Sequence, residues 1–382
     1  MNEINTIRIA AIGDVAFNGG YEELARQGAA GRVAEAIAPL LAGADIAIGN
    51  LEGPLTNRPS AGPPWRFCLH GHPSFGPALK KMGLHAVSLA NNHMMDHGWE
   101  AAQETAALLG ESGIRSAGAG QNLEEARKAA HFEIHGSKVA ILSYCDVAVL
   151  GRIYADDRQP GIALARREYV IEDVTRAKSE NDIVIVCLHW GQEHVRYPNP
   201  QQRIFANEII AAGASLVIGH HPHVLQGVER FQDGAIAYSL GNFTFSDQAW
   251  SGQNQKGESF VMQYRLNENS RRTAVWNVLL DTRGKVVSEQ LVPCYVAKDL
   301  MTAPDPRPEC QRAIERNASA LSTPGYRFFW AVNMVLARLK AITEQFDGTD
   351  SFAKRIVRLR PRHLRYLGQL LAREWEQLRG ME

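Results

Sequence analysis

An alternation constrains this chain more than any other feature. Apolar runs of strand length recur at residues 7–12, 45–48, 86–90, 139–144, 183–188, 215–218 and 235–240. Helix-like segments stand between most of them, at 32–41, 75–82, 99–112, 167–180 and 200–212. Short runs rich in Val and Ile read as buried strands, and their alternation with helices predicts an α/β domain with largely parallel pairing. Later runs at 259–266, 273–280 and 285–292 read as antiparallel strands, with turn residues at 267–270 and 282–284. The Gly-, Gln- and Asn-rich stretch 250–256 reads as an exposed loop.

Near residue 300 the character changes. Pro304, Pro306 and Pro308 crowd the tract 302–309, enough to stop regular structure. Beyond it the chain reads as helical: 326–345 is strongly apolar, and Leu364, Leu367, Leu371, Trp375 and Leu378 repeat at helical spacing. The expected organisation is therefore a main domain over 1–300 and a helical C-terminal extension over 301–382. Trp330 and its neighbours are expected to pack helices or to form an oligomer surface.

Charge excludes one broad class. The 41 basic and 41 acidic side chains cancel, and the main domain has no basic face, so nucleic-acid binding is not expected. A basic run, from Lys354 to Arg365, could meet an anionic polymer, a membrane face or a partner; a solvated helix face is the commoner explanation. No run of about 18 apolar residues exists to form a transmembrane helix, and residues 1–6 lack the order of a signal peptide. Five cysteines without a CxxC pair suit a reducing compartment. The expected location is cytoplasmic, with any membrane contact made through a partner. Cys145 and Cys187 sit in apolar runs and read as core residues.

The chemistry is positional. Polar residues able to bind metal follow the apolar runs directly: Asp14; Asn50 and Glu52; Asn91, Asn92, His93 and Asp96; His189 and Glu193; His220, His221 and His223; Asn242. In open α/β sheets, ligands bind beyond the carboxyl ends of strands, so these segments are expected to meet at one edge. Carboxylate, amide oxygen and imidazole together form a ligand set for Zn²⁺, Mn²⁺ or Fe²⁺. Pro222 stiffens the loop that carries His221 and His223. Each residue alone has a plainer reading. Asp14 could cap a turn, one of Asn91 and Asn92 could be structural, and a lone His189 would more often be a core histidine. His220 reads as a packing or supporting residue, and Glu193 as a surface residue or substrate contact. Arg66, with Arg58, Trp65 and His70, lies in a Pro/Gly-rich segment, 54–73, that could cover an anionic substrate or be a plain surface loop.

Taken in order, Gly13-Asp14, Asn50-Leu51-Glu52, Asn91-Asn92-His93 with Asp96 and Gly98, His189-Trp190-Gly191, Gly219-His220-His221-Pro222-His223-Val224 and Ser239-Leu240-Gly241-Asn242-Phe243 resemble the CapA family of poly-γ-glutamate capsule synthesis proteins. That family in turn resembles the calcineurin-like metallophosphoesterases. The resemblance covers roughly residues 7–245 and extends more weakly to about 295. It implies a four-layer α-β-β-α sandwich and two divalent ions (Mn, Fe or Zn). It also implies roles: Asp14 and His223 on the first ion; Glu52 bridging; Asn92, His189 and His221 on the second; His93 as general acid, oriented by Asp96. Asn242 would organise the site loop. Two departures stand out. Phosphoesterases carry His where this chain has Ala16, and usually Asp where it has Glu52. Two functions follow as expectations. One is a hydrolase acting on an amide or phosphoester, on an anionic polymer or small molecule. The other is a non-catalytic subunit among capsule-synthesis proteins, docking through the C-terminal region.

Overall fold

Strand Thr6–Val15 divides the molecule into layers. Ile7, Ile9 and Ala11 enter one apolar cluster with Ile141, Ile185, Ile218 and Trp276. Ala10 and Ile12 enter another, with Val33, Ile37 and Leu79. Successive side chains of a strand point to opposite faces, so a strand apolar on both faces must be covered twice. The second sheet behaves alike. Ile183, Ile185 and Cys187 face the shared cluster, while Val184, Val186 and Leu188 pack on Val170, Val174, Ala206 and Ile209. The result is helices, sheet, sheet, helices: the four-layer sandwich. The structure, a computed structural model, describes residues 6–63, 66–147, 153–253 and 257–344, with side chains to residue 336.

The first sheet has eight strands. Its order is Thr302–Pro304, Val286–Val296, Arg272–Asp281, Thr6–Val15, Ile46–Leu51, Ala86–Ser88 and Arg115–Ala117; Asn242–Thr244 also pairs with Thr6–Val15. Pairing is parallel from Thr6–Val15 through Arg115–Ala117 and antiparallel on the other side, toward Thr302–Pro304. The second sheet runs Val228–Phe231, Gly234–Ala237, Leu216–His220, Ile183–His189, Ser137–Cys145 and Ala130–Ile134, with a parallel centre.

The helices fall where the periodicity places them, at Gly31–Leu41, Phe75–Lys81, Trp99–Glu111, Arg167–Glu180 and Pro200–Ala211. The last shows why it starts where it does. Asn199 accepts from the Gln202 amide, the Gln202 side chain returns the bond to Asn199, and Pro200 takes the first turn, where a missing N–H costs nothing.

Three features differ from the sequence reading. Residues 250–253 are not loop: Gln248–Gln253 pairs with Ser259–Tyr264 in a two-stranded ribbon. Its polar composition hid the alternation, in which only every second residue is partly covered. Nor does the proline tract stop regular structure. Thr302–Pro304 is an edge strand, and Pro308 opens helix Pro308–Leu321 at a position that needs no donor. Thr6–Val15 also runs past its predicted end to carry Asp14 within the sheet. At the C-terminal side, Tyr326, Trp330 and Met334 pack into the outer cluster of the second sheet, so Trp330 is a packing residue. The basic run beginning at Lys354 and the leucine repeat of 361–379 lie outside the described residues.

Closure between strands is tight at Gly13, where an added Cβ would lie 1.8 Å from the Gly241 carbonyl oxygen. Gly13→Ala is expected to destabilise the chain by at least about 2 kcal/mol through forced backbone displacement, seen as a lowered midpoint of denaturant unfolding.

Candidate metal centre

Both sheets deliver their strand ends to one place. In the first, Asp14 pairs with Asn50 on one side and Asn242 on the other. In the second, His189 pairs with His220, and the loop after His220 brings His221 and His223 across to Asp14. His221 and His223 have φ of 94° and 55°, a left-handed conformation that is uncommon and costly outside glycine. Strain of this kind persists only where the surroundings hold it, and here it turns two imidazoles toward the same carboxylates.

Asp14 is fully buried yet richly contacted. Asn50 Nδ2 donates to Oδ1 at 2.9 Å, and the His221 amide to Oδ2 at 3.3 Å. His220 Nδ1 and His223 Nδ1 stand 3.4 and 3.3 Å from its oxygens. Burial alone would raise its pKa, but the two imidazoles hold it well below the usual carboxylate range. Glu52 is the opposite case. Both its oxygens are buried and no hydrogen bond reaches either. Its nearest cations in waiting are His223 Nε2 at 3.5 Å and His93 Nε2 at 4.0 Å. Burial, with Asp14 adding to it against the pull of His223, pushes its carboxyl up to about 7. His223 loses basicity to burial but gains more from Glu52 and Asp14, and stands near 10. His221 is driven to about 4 by burial and by the field of His223, and burial also takes His189 well below its normal value.

Asp14, Glu52 and His223 bring ligand atoms within 4.8 Å of one another, and so do Glu193, His221 and His223. Asn92 Oδ1 lies 2.7 Å from His189 Nε2, and the His189 and His221 rings are 4.9 Å apart. Asn91 faces the other way. Its amide donates to Leu51 O and Asn50 Oδ1, and its oxygen accepts from Gly53 N and His93 N, so it braces the loop. Asn242 Oδ1 stands 2.9 Å from His223 Nδ1 while its amide donates to Ser270 O. His220 is buried, and neither ring nitrogen makes a hydrogen bond.

His93 stands at the edge of this group. Its Nδ1 is 2.6 Å from Asp96 Oδ2, and Asp96 also accepts from Leu69 N at 2.8 Å and Arg66 Nη2 at 2.9 Å. The Asp96 contact therefore orients the ring through Nδ1 and leaves Nε2 facing Glu52. Against the cost of burial, Asp96 and Glu52 raise the His93 pKa. The 54–73 segment thus packs over the centre through Arg66, Leu69 and Phe67, whose ring lies 5.8 Å from His93; Trp65 lies outside the described residues.

Sequence reasoning missed one element and placed another only loosely. Glu193, expected as a surface residue or substrate contact, has its carboxylate beside His221 and His223, which hold its pKa low despite desolvation. The ribbon 248–264 forms a wall: Trp250 packs on Phe67 at 4.7 Å, and Tyr264 on His194 and Phe245. Nothing in the polar composition of 248–253 signalled it. Ala16, where a histidine ligand was looked for, is buried in an apolar cluster with Leu69, Phe245 and Leu266.

The residues fit a divalent metal. An unpartnered buried carboxylate is costly when charged, and Glu52 is placed among imidazoles and a second carboxylate, the donor types of Zn²⁺, Mn²⁺ and Fe²⁺ sites.

With the geometry established, comparison with known proteins is informative. Residues 8–247 match the family described as bacterial capsule synthesis protein PGA_cap. The chain belongs to that family. It is 31% identical over 286 residues to the capsule biosynthesis protein CapA of Bacillus anthracis, covering 72% of this chain and 67% of that one. Similarity to the PGA biosynthesis protein CapA of Bacillus subtilis is 33% over 260 residues, covering 68% and 67%. Among solved structures, a phosphatase from Mycoplasma pneumoniae aligns with a TM-score of 0.48 and 14% identity, over 81% of this chain and 97% of that one. Among the described residues, no helix is long and apolar enough to cross a membrane.

Because Glu52 titrates near 7 and His223 near 10, a cation bound between them displaces protons at neutral pH. Titrating the chelator-stripped chain with Mn²⁺ or Zn²⁺ at pH 7 in buffers of different ionisation enthalpy is expected to show release of more than one proton per chain. Affinity is expected to rise with pH.

Proposed function

We propose that this chain is a metal-dependent hydrolase that acts on an amide or phosphoester bond in capsule or related exopolymer metabolism. The buried, unpartnered Glu52 carboxylate among His93, His223 and Asp14 supports this most directly. Asp14, Glu52 and His223 would hold one ion, and Glu52, Asn92, His189 and His221 a second, with Glu193 within reach of His221 and His223. Divalent ions in such a centre lower the pKa of water toward about 7 and offset charge on the attacking and leaving oxygens.

The chain's own groups do the rest. His93, anchored through Nδ1 on Asp96, presents Nε2 to the centre and carries the proton that a leaving oxygen or nitrogen needs. Its raised pKa keeps that proton in place closer to neutrality. Arg66 and the Leu69 amide hold the Asp96 side chain in place, and it in turn orients the ring. Asn91 sets the turn that places both Asn92 and His93. The aromatic wall of Phe67, Trp250 and Tyr264 shields one side of the centre from water.

Ala16 favours a second reading, a non-catalytic metal-binding subunit of a capsule polymer machine, because its surroundings supply no ligand at that position. Turnover separates the two, and metal content tests the centre that both require. Protein purified without chelator is expected to hold about two equivalents of divalent metal by plasma mass spectrometry, and less in His221→Ala. No binding even after addition of Mn²⁺, Fe²⁺ or Zn²⁺ would overturn the hydrolase reading. With metal bound, a panel of phosphoesters and γ-glutamyl amides is expected to reveal turnover. His93→Ala is expected to lower it by roughly 10²–10⁴-fold with metal content unchanged; equal activity in this variant would remove His93 from the chemistry.

A further inference from the structure

The ribbon of Gln248–Gln253 and Ser259–Tyr264 leans on the centre with one face. Gln248 pairs with Tyr264 and Trp250 with Met262, so these four side chains share a side. Trp250 serves the His93 side: it packs on Phe67 at 4.7 Å, and Phe67 stands 5.8 Å from the His93 ring. Tyr264 serves the His223 side. Its ring stacks on His194 at 6.0 Å and meets Phe245 edge-on at 6.1 Å. Those two rings lie 6.4 and 5.2 Å from the ring of His223. Tyr264 also packs against the apolar cluster of Ala16, Leu69 and Phe245.

These contacts use the ring and leave the hydroxyl over. Tyr264 Oη is buried and makes no hydrogen bond among the described residues. A buried phenol normally finds a partner. Tyr144 donates to Asp173, Tyr238 to Glu229 and Tyr326 to Pro198 O. Tyr264 has charge around it instead of a partner. Burial, then the fields of Glu193, Glu52 and Asp14, raise its pKa, so the carboxylates of both ligand groups lie within electrostatic reach of the hydroxyl. The group keeps its proton through the neutral range. Among the described residues, the ion pairs of Asp14 and Glu52 are made by imidazoles alone. Those nitrogens are committed to the carboxylates; the Tyr264 hydroxyl is not. A neutral donor also suits this place, because an ammonium or guanidinium here would be drawn to Glu193 or Glu52 and would oppose a metal ion.

We propose that Tyr264 is a substrate-binding residue, whose hydroxyl donates to an acceptor oxygen of the group attacked at the Asp14–Glu52–His223 centre. This rests on the hydrolase reading above for the identity of that group, a phosphoryl or a carbonyl. The bond comes from the His223 side and leaves the His93 side to the departing atom. A hydroxyl donating to an oxygen that carries charge makes a strong bond, and one already in position needs no rearrangement as that charge develops.

Tyr264→Phe removes the hydroxyl and keeps the ring with its His194 and Phe245 contacts. Inorganic phosphate, which presents the same kind of oxygen, is titrated calorimetrically into the Mn²⁺-loaded full chain and into the variant. The variant is expected to bind phosphate roughly tenfold more weakly, the loss of one hydrogen bond to a charged oxygen, with metal content as in the parent. Its unfolding midpoint without phosphate is expected to equal or exceed the parent's, because an unpaired buried hydroxyl costs stability. Equal phosphate affinity in the two chains overturns the proposal. So does a lowered midpoint, which would give the hydroxyl a partner inside the fold, and so does a metal-loaded parent that binds no phosphate. A second measurement needs no variant: phosphate added to the metal-loaded parent is expected to shift a tyrosine ultraviolet band, and an unmoved band despite calorimetric binding overturns the proposal. An absence of turnover on phosphoesters and γ-glutamyl amides counts against the hydrolase reading and leaves Tyr264-dependent phosphate binding standing.

Discussion

A carboxylate removed from water organises the candidate centre. Asp14 sits at the end of the central strand of the first sheet with no exposed surface, and it stays ionised because four groups converge on it. Two of these, His220 and His223, come from the second sheet or the loop beyond it, and Asn50 comes from the neighbouring strand. Retaining that charge thus requires both sheets to be in register at their carboxyl ends. The Gly13–Gly241 approach and the left-handed backbone at His221 and His223 are the steric terms on which this convergence is possible. Glu52 then stands beside a charge already settled, and burial, with that charge, pushes its own pKa up to about 7.

Much of this was legible in residue order. Strand-length apolar runs followed at once by Asp, Asn or His point to one functional edge, because parallel strands present their carboxyl ends together. The sequence reading left one of Asn91 and Asn92 as structural, and the structure has Asn91 bracing the loop. What stayed hidden has physical causes. The 248–253 strand is half exposed and built from Gln, Ser and Gly, so it has no apolar alternation to read. The edge strand Thr302–Pro304 is short, and its prolines looked like breakers because edge position cannot be seen in one dimension. Glu193 was named as a candidate, but its place beside His221 and His223 follows from the path of its loop.

At Ala16 the sequence departs from the histidine expected from the resemblance to phosphoesterases. The structure packs this residue against Leu69, Phe245 and Leu266. An apolar wall beside the centre lowers the local dielectric and so strengthens each remaining charge interaction. Shared architecture therefore sets where chemistry can occur while leaving its detail to individual side chains.

The sheet order carries a consequence for biosynthesis. The strand bearing Asp14 gains one neighbour early, at Ile46–Leu51, but its others are Asn242–Thr244 and Arg272–Asp281. A ribosome must synthesise more than two thirds of the polypeptide before that strand is enclosed on both sides. Contacts so distant in sequence form late. A nascent fragment ending before residue 242 lacks Asn242, the partner of His223, and a fragment ending before 220 lacks the histidine loop itself. Convergence of Asp14, His223 and Asn242 is consequently deferred until well over half of the chain has been made, and a shorter fragment lacks it.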